Sequence, residues 1–549
     1  MPAFKYRRVF EIARELKGFL RVDAGLTRGE VPDPERQLEA QTQELRQARS
    51  QLVSQAKRLN EQSERLKRLR ERLSDSRKQV TGLRERLSDS EQQVAGLREQ
   101  LSDSQKQVTG LQERLSNRGH RVTELRTKLE VVSAGALATA RRTPSVTKQV
   151  RKLAILDNVF PHLLSAFRIA EYNAYLEKWE DASVFSTALG FPALHEMRGF
   201  QEVLDEYASR YPQFKGRVRG FDAKSDLEDR LVYTMFLTNA DFFLDAIHAY
   251  NAPFVFTLYP GGRFQLNDEE SDDKLRRVCS SPNLEKVITT QKATHEYLLG
   301  KQFCDPAKTE FVYGGVFPLD HLLGQSISKQ RYEDKYTFDV CFVAHKYTER
   351  GTDKGYDVFI ELAKLLSEAH KDVFFHVVGP FDETDVDVSG IEDRITFYGT
   401  RFTEFFPGFY SRMDAIVSPN VPFVLGPGTF DGFPTGACIE AGACGVAVFC
   451  TDPLNQNVAF EDGEEIVIVP RDAKAICATL ERYHERPEDL CELSIKGQKA
   501  FLRVFDMEAQ MGPRLRILSE PMRKEYIPPD KANSSNARDD GRRMDVHSH

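Results

Sequence analysis

Apolar residues recur at every seventh position from Leu38 to Leu129, passing through Leu45, Leu52, Leu59, Leu66, Leu73, Val80, Leu87, Val94, Leu101, Val108, Leu115 and Val122. A strict seven-residue apolar period predicts a helix that supercoils with partners, so 31–132 reads as a long α-helical coiled coil. A near-verbatim unit, LRERLSDSRKQVTG from 69 onward, repeats every fourteen residues, which is two heptads. The second stripe alternates Leu and Ser, and Gly82, Gly96 and Gly110 each cost up to ~1 kcal/mol of helix propensity relative to Ala. The seam is therefore expected to be narrow and only moderately stable. At ~1.5 Å per residue a continuous rod reaches on the order of 140 Å, and its expected role is homo-oligomerisation and spacing.

The flanks of the rod have other patterns. Within 1–30, the stretch FKYRRVFEIARELKGFLRV (4–22) places Phe, Val, Ile and Leu at helical spacing among Lys and Arg. Such a basic amphipathic helix suits peripheral contact with an anionic membrane, or docking on a partner protein. Residues 133–150 are small and polar and read as a linker, and the tail 527–549 has the composition of a disordered segment.

From 151 the period changes to alternating strand and helix. KLAILDNVF, ASVFSTAL, LVYTMFLTN and PFVFTLYP are strand candidates, interleaved with helical stretches such as AFRIAEYNAYLEKW and DFFLDAIHAYN. After a polar gap near 321–336 the alternation restarts with TFDVCFVAH, YDVFIELAKLLSEAH and DVFFHVVGP, followed by ITFYG, AIVSP, VAVFC and EIVIVP. This predicts an α/β protein with two facing, doubly wound, Rossmann-like domains at 151–325 and 326–526. Ligands in such sheets bind beyond the carboxyl ends of the strands, so the cleft between the domains is the expected site.

Composition removes several alternatives. The 549 residues carry 76 Lys+Arg against 83 Asp+Glu, a net charge of −7, which argues against nucleic acid as a partner. The eight cysteines show no pair spaced two apart, so no zinc ribbon is read, and their apolar settings suit a reducing cytoplasm. The apolar runs fall short of the roughly 18 residues a membrane helix needs, and the charged start lacks a secretory h-region.

The densest chemical signal is GPGTFDGFPTGACIEAGACGVAVFCTD at 426–452. Its glycines allow close backbone approach to a ligand, a helix from Thr435 would aim free N–H groups at a diphosphate, and Glu440 could accept from ribose hydroxyls. The segment resembles the donor-site signature of the retaining GT-B glycosyltransferases of family 4. Lys354-Gly355 ahead of a helix, the strand ending at Gly379, ITFYG and AIVSP follow the family order. The resemblance implies that Lys354, Asp431 and Glu440 carry the chemistry: Lys354 neutralises the nucleotide diphosphate, Asp431 lies by the donor sugar, and Glu440 holds the ribose. It further implies donor contacts from Gly379, Gly432, Phe433, Pro434, Thr435 and Gly436, and from either Lys346 or Arg350 in place of a family arginine. A fixed cation and backbone donors suffice to stabilise a leaving diphosphate, so no metal or cofactor is required beyond the nucleotide sugar as co-substrate.

Four departures stand out. Eight residues separate Asp431 from Glu440 where the family has seven, and the first acid is Asp rather than Glu. A longer link, VPFVLGPGTF, precedes Asp431. The turn after the first strand of the first domain, VFPHLLSAFR, lacks the family's glycines. TLYPGGRF is expected to substitute on the acceptor side, Gly261 and Gly262 permitting close approach and Tyr259 and Arg263 projecting into the cleft. The pair Asp385 and Asp387 reads as a solvated loop. The resulting expectation is a cytoplasmic retaining glycosyltransferase, peripheral on the inner face of the cell membrane if 4–22 binds lipid. It would move a sugar to a glycan or lipid-linked acceptor in bacterial surface polysaccharide synthesis. The competing expectations are a non-catalytic coiled-coil scaffold and a GT-B sugar-nucleotide epimerase.

Overall fold

The computed structural model describes most residues from 39 to 82, and 148–526 apart from 151, 192–197, 223–226, 325–326 and 524. The basic helix read within 1–30, the repeat from 83 on, most of the linker and the tail from 527 lie outside the described residues. Within the first unit, 1–115, the described residues are α-helical, and the heptad residues Leu45 and Leu52 are exposed, as is the neighbouring Val53. Among the described residues no helix is long and apolar enough to cross a membrane.

The second unit holds two lobes. The first has a seven-stranded parallel sheet of β2 (Lys152–Asp157), β3 (Ser183–Ser186), β4 (Val218–Gly220), β5 (Arg230–Met235), β6 (Phe254–Leu258), β7 (Leu284–Thr289) and β8 (Thr309–Phe311), in the order β4-β3-β2-β5-β6-β7-β8. The second has six parallel strands, β9 (Phe338–Val343), β10 (Val373–Val378), β11 (Ile395–Gly399), β12 (Ala415–Ser418), β13 (Ala447–Cys450) and β14 (Val467–Ile468), in the order β11-β10-β9-β12-β13-β14. Both sheets wind outward from their first strand and then reverse, so each has a switch point beside that strand, β2/β5 in one lobe and β9/β12 in the other.

The strand sequences follow from burial on both faces. In β9, Phe338, Val340 and Phe342 join one core cluster while Cys341 joins another, and in β2, Leu153 and Ile155 separate in the same way from Ala154 and Leu156. Alternate residues thus pack under helices on opposite faces, which is why these strands read as continuous apolar runs. Helices α1 (Ala166–Lys178), α2 (Phe200–Arg210), α3 (Leu237–Tyr250), α4 (Glu269–Cys279) and α5 (Lys292–Gly300) belong to the first lobe. After the short α6 (Leu319–Leu323), the second lobe carries α7 (Tyr356–Ala369), the short α8 (Phe406–Tyr410), α9 (Gly436–Ala443), α10 (Ala473–His484) and α11 (Pro487–Phe505).

The end of the chain corrects the reading that assigned 326–526 wholly to the second domain. Helix α12 (Met507–Arg523) returns to the first lobe, where Met511, Ile517 and Leu518 enter its core. A short antiparallel pair, β1 (Lys148–Gln149) with β15 (Glu525–Tyr526), joins the two ends of the unit. Arg514 is fully buried. Its Nη1 donates to the Gln510 carbonyl at 2.7 Å and to Gln510 Oε1 at 2.9 Å, and its Nη2 to the Tyr259 hydroxyl at 3.3 Å. That hydroxyl donates to Glu171 Oε2 at 2.9 Å, while Glu171 Oε1 accepts from Tyr175 at 3.0 Å and from Tyr233. A buried cation and a buried carboxylate are thus joined through tyrosine, and removing one member strands the other in a medium of low polarity.

We predict that Arg514→Met destabilises the fold by about 3 kcal/mol, whereas Arg514→Met combined with Glu171→Gln costs clearly less, because no uncompensated charge remains. Urea unfolding of the two variants measures the difference, and equal costs would refute the coupling.

Candidate active site

β9 and β12 are neighbours whose chains then leave toward opposite edges of the sheet, and a crevice opens beyond their carboxyl ends. Two segments enter it, 344–355 after β9 and 419–435 after β12. Lys354 comes from the first and is only 8% exposed. Its Nζ donates to Asp431 Oδ2 at 2.6 Å, lies 4.0 Å from Asp353 Oδ2, and sits 5.1 Å from the centre of the Tyr347 ring. Asp431 Oδ2 also accepts from Asn420 Nδ2 at 2.7 Å, and the Asp431 carbonyl from Gln456 Nε2 at 3.2 Å. Ser418 Oγ, at the end of β12, donates to Asn420 Oδ1 at 2.8 Å and so fixes the amide.

Gly355 explains how the lysine reaches this point. Its φ is +75°, and a Cβ there would lie 2.2 Å from the Pro419 carbonyl oxygen. Only glycine lets the segment before α7 press against the exit of β12, which delivers Lys354 to Asp431. Gly379 closes the neighbouring strand end: it follows β10, and a Cβ on it would meet the Ala344 carbonyl at 2.0 Å.

Opposite the cluster, α9 begins after Thr435. No side chain caps it, and the Thr435 hydroxyl lies 3.3 Å from Ser418 Oγ. The first-turn N–H groups of a helix have no partner within it, so this end can receive an anion. Ser418, Asn420, Asp431, Thr435, Thr451 and Asp452 line a small, half-open cavity between these elements, walled on other sides by Phe430, Phe433 and Leu454.

Glu440 lies further along α9. Among the described residues no hydrogen bond or ion pair engages its carboxyl, and desolvation alone pushes its pKa up to about 7. No described contact links it to Lys354 or Asp431. It is a half-buried acceptor on the helix that begins beside the cavity.

The remaining expected residues fall as follows. Lys346 donates to both oxygens of Asp385, at 2.8 and 2.9 Å, whereas Arg350 is exposed and makes no described contact. Asp387 pairs with Lys364 at 2.8 Å, so both acids of the 385–387 triplet are held by lysines. Gly432 packs near the Gln291 side chain, Phe433 and Pro434 are buried, and the Phe433 N–H donates to Gln291 Oε1 at 3.1 Å across the cleft. Gly436 opens α9 beside Phe317.

On the acceptor side the expectation for Tyr259 is corrected. It is buried, and its hydroxyl is committed to Glu171 and Arg514 instead of projecting into the cleft, because the returning α12 brings a cation that needs an acceptor. Gly261, Gly262 and Arg263 are exposed, and the Gly262 carbonyl accepts from Thr238 at the start of α3. The same loop meets the long 421–430 link: the Leu266 N–H donates to the Gly428 carbonyl at 2.9 Å, and the Phe264 and Phe430 rings pack edge to face at 5.9 Å. In the glycine-free turn after β2 a carboxylate does the organising. Asp157 Oδ1 accepts from the N–H groups of Val159 and Phe160 at 2.6 and 2.7 Å, and Oδ2 accepts from Arg168, Tyr172 and Asn239.

Comparison with known proteins bears on this geometry. Residues 337–486 match the family described as glycosyl transferases group 1. No curated protein matches the sequence. Among solved structures, Anabaena HepE in complex with UDP and glucose is 16% identical; the match covers 67% of this chain and 99% of that one, with a TM-score of 0.50. TarM, a protein of S. aureus, is 10% identical over 67% of this chain and 98% of its own, also with a TM-score of 0.50. The two lobes have the GT-B fold. In this GT-B cleft the sequence reading did not nominate Asn420, Tyr347 or Gln456, although Asn420 directly follows a strand at the switch point and was findable on that ground.

Because the folded-state pKa of Glu440 lies above the 4.5 of a free carboxyl, folding favours its protonated form, and its contribution to stability falls as pH rises from about 4.5 to 7. We predict that Glu440→Gln raises the thermal midpoint at pH 8, by an amount equivalent to about 1–2 kcal/mol, with no gain at pH 4. A midpoint shift of equal size at both pH values would show that the carboxyl is not held in a desolvated setting.

Proposed function

We propose that this protein is a retaining, metal-independent glycosyltransferase that takes a sugar from a nucleotide-sugar donor and passes it to a glycan or lipid-linked acceptor. The observation that carries the reading is the buried Lys354, held against Asp431 and Asn420 beside the uncapped start of α9. Cleavage of a nucleotide sugar builds negative charge on the departing diphosphate, and a desolvated ammonium with preorganised amides stabilises that charge more in the transition state than in the ground state. Asp431 holds Lys354 in place until a diphosphate shares it, and Asp431 and Asn420 offer an acceptor and a donor to a sugar's hydroxyls. Glu440, without a partner among the described residues, accepts from the ribose. The group 1 match over 337–486 covers this half of the site, and HepE was crystallised with UDP-glucose.

The rest of the proposal concerns assembly and place. The exposed apolar stripe of the rod is covered by other copies of the chain in a coiled coil, and the protein works in the cytoplasm, on bacterial surface polysaccharide, with 4–22 available for the inner membrane face.

Two experiments test this. Titration of the full chain with UDP- and GDP-sugars in the calorimeter is expected to show saturable binding of one donor. Lys354→Ala should lower turnover by about two to three orders of magnitude while leaving circular dichroism unchanged; a folded wild-type protein that binds neither donor defeats the proposal. Product NMR should show the donor's anomeric configuration retained. Separately, light scattering of a variant lacking 1–132 is expected to report a monomer where the full chain is oligomeric, and an unchanged mass per subunit count would locate assembly outside the rod.

A further inference from the structure

At the opposite ends of the second lobe's strands from Lys354 lies a group of side chains that the transferase reading does not use. His370 follows α7, Asp372 immediately precedes β10, and His484 is the last residue of α10. One donor atom from each falls within 4.8 Å of the other two. His484 Nε2 is 2.9 Å from Asp372 Oδ2, and the two imidazole rings are 4.2 Å apart. Glu481, one turn before His484 on α10, brings Oε1 to 3.7 Å from His370 Nε2. The pattern is His-x-Asp on one segment and Glu-x-x-His on another, and the i, i+3 spacing sets Glu481 and His484 on one face of the helix.

We propose that His370, Asp372, Glu481 and His484 bind a single zinc ion. The donors are two imidazole nitrogens and two carboxylates, a set suited to a tetrahedral, borderline-soft divalent ion and poorly suited to magnesium, which keeps an all-oxygen octahedron. Two ligands on one zinc at ~2.0–2.1 Å stand about 3.3 Å apart, so His370, Asp372 and His484, whose donor atoms lie within 4.8 Å of one another, close around an ion with side-chain adjustments of an ångström or so, and Glu481, 3.7 Å from His370 Nε2, turns inward to complete the set. The site also has an orienting partner. The Tyr332 hydroxyl donates to Asp372 Oδ2 at 2.9 Å and its ring stacks on His484, so both ligands are aimed before an ion arrives. The side chains of His370 and His484 are 20% and 13% exposed, and those of Asp372 and Glu481 36% each, which leaves a path for the ion. The ion would tie the ends of α7 and α10 to the start of β10 and to the segment that links the lobes. It takes no part in sugar transfer, since Gly379 and the donor cleft lie at the other end of β10.

The test uses the full chain with His547→Ala and His549→Ala, because the two tail imidazoles could bind zinc by themselves. After treatment with chelator and gel filtration, zinc chloride is added under competition with a chromophoric chelator. The expected result is one zinc per chain, a thermal midpoint raised by several degrees by zinc and not by magnesium, and at least tenfold weaker binding in His370→Ala and in His484→Ala. Failure of the parent to take up zinc, or uptake undiminished in the His370→Ala, His484→Ala double variant, overturns the proposal. Should those variants not fold, cobalt in the parent decides: visible absorption of a tetrahedral site supports it, and a spectrum like that of hydrated cobalt rejects it.

Discussion

A lysine ammonium taken out of water needs an acceptor close at hand, and the second lobe is arranged around meeting that need for Lys354. The counter-charge comes from Asp431, 77 positions further along the chain, and it arrives only because β9 and β12 lie side by side with their carboxyl ends together. Everything near the cleft follows from holding that pair. Gly355 lets the lysine's segment touch the exit of β12, Ser418 fixes Asn420, and Asn420 shares the carboxylate. The link 421–430, long for such a connection, carries Asp431 past the first lobe's 261–266 loop and gains a hydrogen bond from Leu266 on its way.

Glu440 shows the opposite arrangement a few residues later. Where Lys354 has its partner built in, Glu440 has none among the described residues, and burial alone holds its carboxyl near pH 7. A fold that needed only stability would place a glutamine or an apolar residue there. Lys354 is thus satisfied within the protein, whereas Glu440 keeps a carboxyl that no described residue engages.

The parts of this molecule that were legible in the sequence are those where local pattern and burial agree. Strands such as TFDVCFVAH and VAVFC are apolar throughout because helices cover both faces, and Lys354-Gly355 and the glycine-bordered acid Asp431 stand at the boundaries that the alternation predicts. Tyr259 was misjudged because its environment depends on Arg514, which is 255 positions away and sits in a helix whose two prolines, Pro513 and Pro521, obscure its helical pattern. Asp157 was overlooked for a related reason: a single carboxylate receiving five donors replaces the glycines that such a turn usually shows, and nothing in VFPHLLSAFR announces the exchange. The histidine cluster escaped because its halves stand on either side of β10 to β14 in the sequence and meet only through sheet order.

The lobes are joined by two seams of unequal strength. Beside the cleft, the contacts across it include two backbone-donated hydrogen bonds, Leu266 to Gly428 and Phe433 to Gln291, and one aromatic pair, each worth on the order of 1 kcal/mol. At the other, α12 sinks Met511, Ile517, Leu518 and the guanidinium of Arg514 into the first lobe's core, and detaching it would expose that apolar surface and break a buried ionic network. The weaker seam is the one that borders the cavity beside Lys354 and Asp431. Energy therefore concentrates the connection between the lobes in the returning helix, and the cleft can widen by giving up contacts that are individually small.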